Sequence, residues 1–206
     1  MTRTLGALAA VLLLAAGYAG TTPHVADPAR KSVTMVSVGR TVTKPPEMFY
    51  LGPGNVGLLF GAIGGAASAP GIADERKAFQ SHVEKHGISI EAIARDELDQ
   101  AIRKSGKLAV ADQPVAGGAT MVVSVLQYGF GVPNLFSSNV VPVVYLKCEI
   151  IDAAGKVLWS ASDRMLKLGN PVEPVRAEAL RDDPRLIERQ WRLAVRHLAT
   201  SLMNAY

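Results

Sequence analysis

His82 and His86 stand four residues apart in the segment ADERKAFQSHVEKH (73–86), whose pattern is helical, so their rings would share one face as paired metal ligands do. Glu84 lies between them. In the zinc-protease motif the catalytic glutamate follows the first histidine directly, and no third ligand is indicated by spacing, so the segment reads as a solvated helix face. Nucleophilic catalysis of the hydrolase type would show a serine in the turn G-x-S-x-G, which does not occur. The phosphate-cradling G-x-x-x-x-G-K-[ST] loop is also absent. Gly52, Gly54 and Gly57 come close to a dinucleotide-binding string, but they follow Pro-rich turn sequence and do not end a strand. His24 and His197 have no recognisable partner. These readings assign no catalytic, cofactor-binding or metal-binding residue, and the expected class is a non-enzyme.

The elements that would carry any site follow from periodicity. Residues 89–105 place Ile90, Ala94, Leu98, Ala101 and Ile102 on one stripe, with Glu91, Arg95, Asp99 and Arg103 opposite. Ser89 is the expected N-cap and Gly106 the expected residue past the end. The last segment starts at Asp183-Pro184 and runs to Asn204. Its apolar stripe includes Ile187, Trp191, Val195 and Leu198, and Arg185, Arg189, Arg192 and Arg196 form a solvated ridge. Strands are expected over 33–38, 108–110, 119–128, 140–152 and 156–162, with Asp152-Ala153-Ala154-Gly155 as a tight hairpin. This order predicts an α+β fold: a mostly antiparallel sheet of about four to five strands, helices packed on one face, and a long C-terminal helix.

Two uncharged stretches stand out. From Leu51 to Ile72 the chain has 22 residues without a charge, and Gly57, Gly61 and Gly65 recur at four-residue spacing. On a helix those glycines would let another backbone approach closely. The stretch reads either as a packed helix or Gly-rich loop within the chain, or as an element of self-association or membrane contact. A second run, 113–146, holds 34 residues without a charge. Its expected connecting loop, 129–136, carries Phe130, Leu135 and Phe136 at the bend, where exposed apolar surface would mark an interface. The bland alternative folds that loop back over the core.

The 206 residues are 49% hydrophobic and 19% charged, which excludes a disordered chain and suits one domain over 32–206. Residues 1–19 have Arg3, an apolar run from Leu5 to Ala16 and small residues at Gly17 and Ala19, the pattern of a secretory signal peptide; an uncleaved N-terminal anchor is the alternative. Residues 20–31 (GTTPHVADPARK) read as a flexible leader. No cysteine follows the small residues, so lipidation there is unsupported, and Cys148, the only cysteine, is expected to be a small buried hydrophobe. Without Arg3 the chain carries 21 basic and 18 acidic residues, too slight a bias to demand nucleic acid. A periplasmic or outer-membrane-associated location is expected.

The layout from Ser32 to Tyr206 resembles a family of exported bacterial envelope proteins, including the curli-secretion lipoprotein, the Pel-polysaccharide secretion lipoprotein and the N-terminal domain of the Tol-system propeller protein. The local resemblance lies in the helix ending 98–106, the strand 107–111 and the hairpin 151–160. It implies a non-enzymatic part of an envelope assembly, often a ring, with a homo-oligomer or an envelope protein as partner and peripheral membrane contact as a further possibility. It implies no cofactor and no catalytic residue. A periplasmic small-ligand module, with a pocket lined by Val125, Tyr145 and Trp191, is the alternative function.

Overall fold

The computed structural model describes residues 22–53, 71–113, 117–134, 137–166 and 169–206. Among them are eight strands: β1 (Thr22–Ala26), β2 (Met35–Val38), β3 (Phe49–Leu51), β4 (Ala109–Ala111), β5 (Ala119–Gly131), β6 (Asn139–Ile151), β7 (Val157–Met165) and β8 (Val175–Arg176). The helices are α1 (Ile72–Lys85), α2 (Ile90–Ser105), α3 (Ala177–Asp182) and α4 (Pro184–Ala205), with a 3-10 turn over Pro28–Ser32. Residues 1–19, expected to form a signal peptide, and the Gly57, Gly61 and Gly65 stretch lie outside the described residues.

The sheet runs β1-β7-β6-β5-β2-β4, with β3 beside the end of β5 and β8 beside the start of β6. The central meander β5–β6–β7 is antiparallel, as is β1 on β7. Strands β2 and β3 run parallel to β5, and β4 runs parallel to β2. The expected sheet of four to five strands is therefore too small. Strands β3 and β8 have three and two residues, too few to show a period of two in sequence.

Strand β1 and the 3-10 turn occupy the expected flexible leader, which is ordered in this fold. Asp27 is the anchor: its N–H donates to the Leu158 carbonyl, and its carboxylate pairs with Lys156 at 2.7 Å. Arg30 donates to the main-chain oxygen of Tyr206 at 2.8 Å and lies over its ring, and the Tyr206 hydroxyl donates back to the Arg30 carbonyl.

Local chemistry explains the main boundaries. The Ser89 hydroxyl accepts from Ala92 N–H at the start of α2, and Gly106 closes that helix with φ 65°. Asp183 accepts from Arg185 N–H and Pro184 opens α4. The β6–β7 hairpin closes as expected, with the Asp152 carboxylate accepting from Ala154 and Lys156 N–H.

Strand β5 carries a register shift between Val125 and Gln127. Before it Met121, Val123 and Val125 face the core; after it Tyr128 and Phe130 do, so one extra residue flips the alternation. On the inner face Val123 pairs with Cys148 and Cys148 with Ala161, while Met121, Ile150 and Trp159 form the neighbouring row. Helix α4 covers this face with Ile187, Trp191, Val195, Leu198 and Leu202, all buried, and α2 packs beside it. Fully burying side chains of this size stabilises by roughly 1.5–3 kcal/mol each against leaving them in water.

Candidate interaction surface

Phe130 corrects one expectation. It belongs to β5 and not to a connecting loop, and its ring is fully buried, stacked on Trp191 at 5.8 Å and edge-on to Phe79 at 5.9 Å. The reason sits one residue earlier. Gly129 has φ 143°, and a Cβ there would collide with the Phe49 carbonyl, so glycine lets β3 run hard against the end of β5 and roof over Phe130. Leu135 and Phe136 lie outside the described residues, as do Gly57, Gly61 and Gly65.

The pocket expected between sheet and C-terminal helix is not formed by its proposed walls. Val125 and Trp191 are 2% and 0% exposed and fill the core, the Trp191 N–H donating to the Gly129 carbonyl. Tyr145 faces the other side of the sheet, where its hydroxyl meets Ser162 at 3.3 Å.

That other side is the broadest surface feature of the fold. By alternation it presents Thr120, Val122 and Ser124 from β5, Tyr145, Lys147 and Glu149 from β6, and Ser162 from β7, while Ser160 on the same side is buried. The face mixes small hydroxylic residues with the longer Tyr145, Lys147 and Glu149, the last two pairing with each other at 2.9 Å. Among the described residues no helix packs there, because all four helices lie with the inner face. Five strands at about 4.8 Å spacing, by nine residues of β7 at about 3.4 Å, give a flat area of about 700 Å².

His24, expected to have no partner, lies on this face and meets the Ser162 hydroxyl at 2.6 Å. Serine beside histidine is the pairing that nucleophilic catalysis uses. Catalysis also needs N–H donors free to hold an oxyanion, and the backbone around Ser162 is engaged in the β1–β7–β6 ladders. The pair joins β1 to β7 through their side chains.

On α1 the His82 and His86 rings lie 4.7 Å apart, and His82 Nε2 is buried without a partner. Burial, and then the neighbouring His86, push the His82 pKa below its ordinary value. Among the described residues no group of three His, Cys, Asp or Glu side chains is placed to hold a metal ion. Burial pushes the Cys148 thiol up to about 12, which keeps it protonated at neutral pH.

The expected solvated arginine ridge is only partly solvated. Glu97, 2% exposed, receives two bonds from Arg196, at 2.8 and 3.1 Å, and one from Arg192 at 3.4 Å. Arg192 also binds Glu188 at 2.9 Å. The Glu97 bonds raise the Arg196 pKa, consistent with a permanently charged clamp between α2 and α4. Sequence reasoning missed this clamp. Its signal was a glutamate within the apolar stripe, four residues after Ile93 and one before Leu98.

No protein-family model and no curated protein matches the chain. Among solved structures, the PelC dodecamer of Paraburkholderia phytofirmans in space group P6 is 13% identical, with 88% of this chain and 97% of that chain covered and a TM-score of 0.39. A point variant of the same dodecamer in space group C2 is 15% identical, covering 89% and 97%, at a TM-score of 0.36. A Xanthomonas campestris protein of family DUF330 is 16% identical, covering 54% and 57%, at a TM-score of 0.38. Among the described residues no helix is long and apolar enough to cross a membrane.

Proposed function

We propose that this chain is a non-catalytic interaction module of the bacterial cell envelope, exported by residues 1–19, that works by self-association through the uncovered face of its sheet. The uncovered face carries the reading. An area of about 700 Å² approaches the roughly 800 Å² per partner that stable protein interfaces bury. Its hydroxyls, from Thr120, Ser124, Tyr145 and Ser162, offer polar contacts to a second protein surface. Lys147 and Glu149, adjacent and opposite in charge, are suited to trading partners with the same pair on a copy related by a two-fold axis. The Gly57, Gly61 and Gly65 stretch, with Leu135 and Phe136, is assigned to the same assembly as secondary contacts.

The test is a pair of charge insertions, Val122→Arg and Ser124→Arg, followed by sedimentation velocity and circular dichroism. The reading predicts a smaller sedimenting species with an unchanged spectrum. Wild-type sedimentation of both variants, natively folded, would contradict it.

A further inference from the structure

His24 puts a titratable ring on the uncovered sheet face. Its Nε2 meets the Ser162 hydroxyl at 2.6 Å, and Ser162 in turn meets the Tyr145 hydroxyl at 3.3 Å. Since Tyr145 belongs to this face, the ring lies over its β1–β7 edge. The other histidines, His82 and His86 on α1 and His197 on α4, belong to helices of the inner side. Histidine is the side chain whose charge ordinarily changes between pH 5 and 8.

The charges around the ring are few. On β7, Arg164 stands opposite Tyr145 and shares its side, whereas Asp163 alternates to the inner side. On β6, Lys147 stands opposite Ser162 and binds Glu149 at 2.9 Å. Strands β1 and β5 carry no charged side chain apart from His24 when protonated, and Asp27, just past β1, is matched by Lys156 at 2.7 Å. Among the described residues of β1, β5, β6 and β7, the face therefore holds Lys147 and Arg164 against Glu149, an excess of one positive charge. A proton on His24 doubles that excess.

Protonation does not release the strand. Neutral Nε2 accepts from the Ser162 hydroxyl; a protonated ring donates Nε2–H to the same oxygen, and the Ser162 hydrogen turns to the Tyr145 oxygen. What changes is the charge that a docking copy must meet. Two copies placed face to face then bring like charges together and strip water from an imidazolium, and both effects oppose docking.

We propose that His24 is a pH switch on self-association: the sheet faces join while its ring is neutral and separate as it takes up a proton. The switch rests on the sheet-face reading and adds its regulation.

Sedimentation velocity of the purified protein at pH 7.5 and pH 5.5 gives the dissociation constant of the assembly. That constant is expected to rise at least about tenfold at the lower pH, since one unit of differential proton affinity is a factor of ten. His24→Gln, whose amide keeps a bond to Ser162 without charging, should associate equally at both. His24→Arg should associate as weakly at pH 7.5 as the wild type does at pH 5.5. Circular dichroism at both pH values confirms that each protein stays folded, which separates the switch from any effect of His82 on stability. An assembly equally tight at both pH values, or the same weakening in His24→Gln, would overturn the switch and leave the sheet-face reading standing. A wild type that sediments as a single chain at pH 7.5 would overturn both.

Discussion

Glu97 is the residue on which the helix pair turns. Its carboxylate is out of solvent and, among the described residues, is paired with Arg192 and Arg196, which themselves remain part-exposed. Glu97→Gln keeps the shape but gives Arg196 a neutral acceptor and takes one carboxylate from Arg192, which keeps Glu188. The expected loss is about 1–3 kcal/mol of stability, read by urea unfolding on Trp159 and Trp191 fluorescence. His82 gives a pH signature. Its folded pKa lies below the unfolded value of about 6.5, so the unfolded chain binds the extra proton first. The stability tied to neutral His82 is therefore complete above about pH 6.5 and is lost as pH falls through the folded value. His82→Phe, which keeps a ring beside Phe79, should flatten the fall in melting temperature between pH 7.5 and 5.5. Neither behaviour was legible in sequence. The helical patterns over 73–86 and 89–105 cover both positions, but the partners of Glu97 are 95 and 99 positions away and no period connects them.

At the scale of elements, periodicity carried furthest where the elements are long. Helices α2 and α4 and the β6–β7 hairpin appear where the apolar stripes, caps and turn chemistry place them. Short pieces failed for a physical reason: β3 and β8 are held by the strands they join, not by their own pattern. The leader failed similarly. Pro23, His24 and small polar residues look mobile alone, yet Asp27 and Arg30 find Lys156 and Tyr206 at the far end of the chain. Phe130 shows the other ambiguity, since an uncharged run reads alike as buried strand or as exposed loop. Gly129 decides it. Gly129→Ala should cost about 2–4 kcal/mol, as it meets both a positive φ and the Phe49 carbonyl. The expected result in thermal melts is a large loss, with Trp191 fluorescence shifted because its N–H bonds the Gly129 carbonyl. A melting temperature within one or two degrees of wild type would mean that β3 does not press on β5 as described.

Among the described residues, the helices pack on one side of the sheet and none packs on the other. Helices α2 and α4, clamped through Glu97, cover the apolar core on the inner face of the sheet. The sequence pointed to contact through its uncharged glycine-spaced stretch; the described residues point to it through a different surface, which alternation along β5–β7 contained but did not identify as bare. The most direct measurement is the mass of residues 20–206 by size-exclusion chromatography with light scattering, across a wide range of protein concentration. Self-association predicts a mass at least twice that of one chain, falling to one chain in Ser124→Arg. A wild type that elutes as a single chain at every concentration would contradict the account.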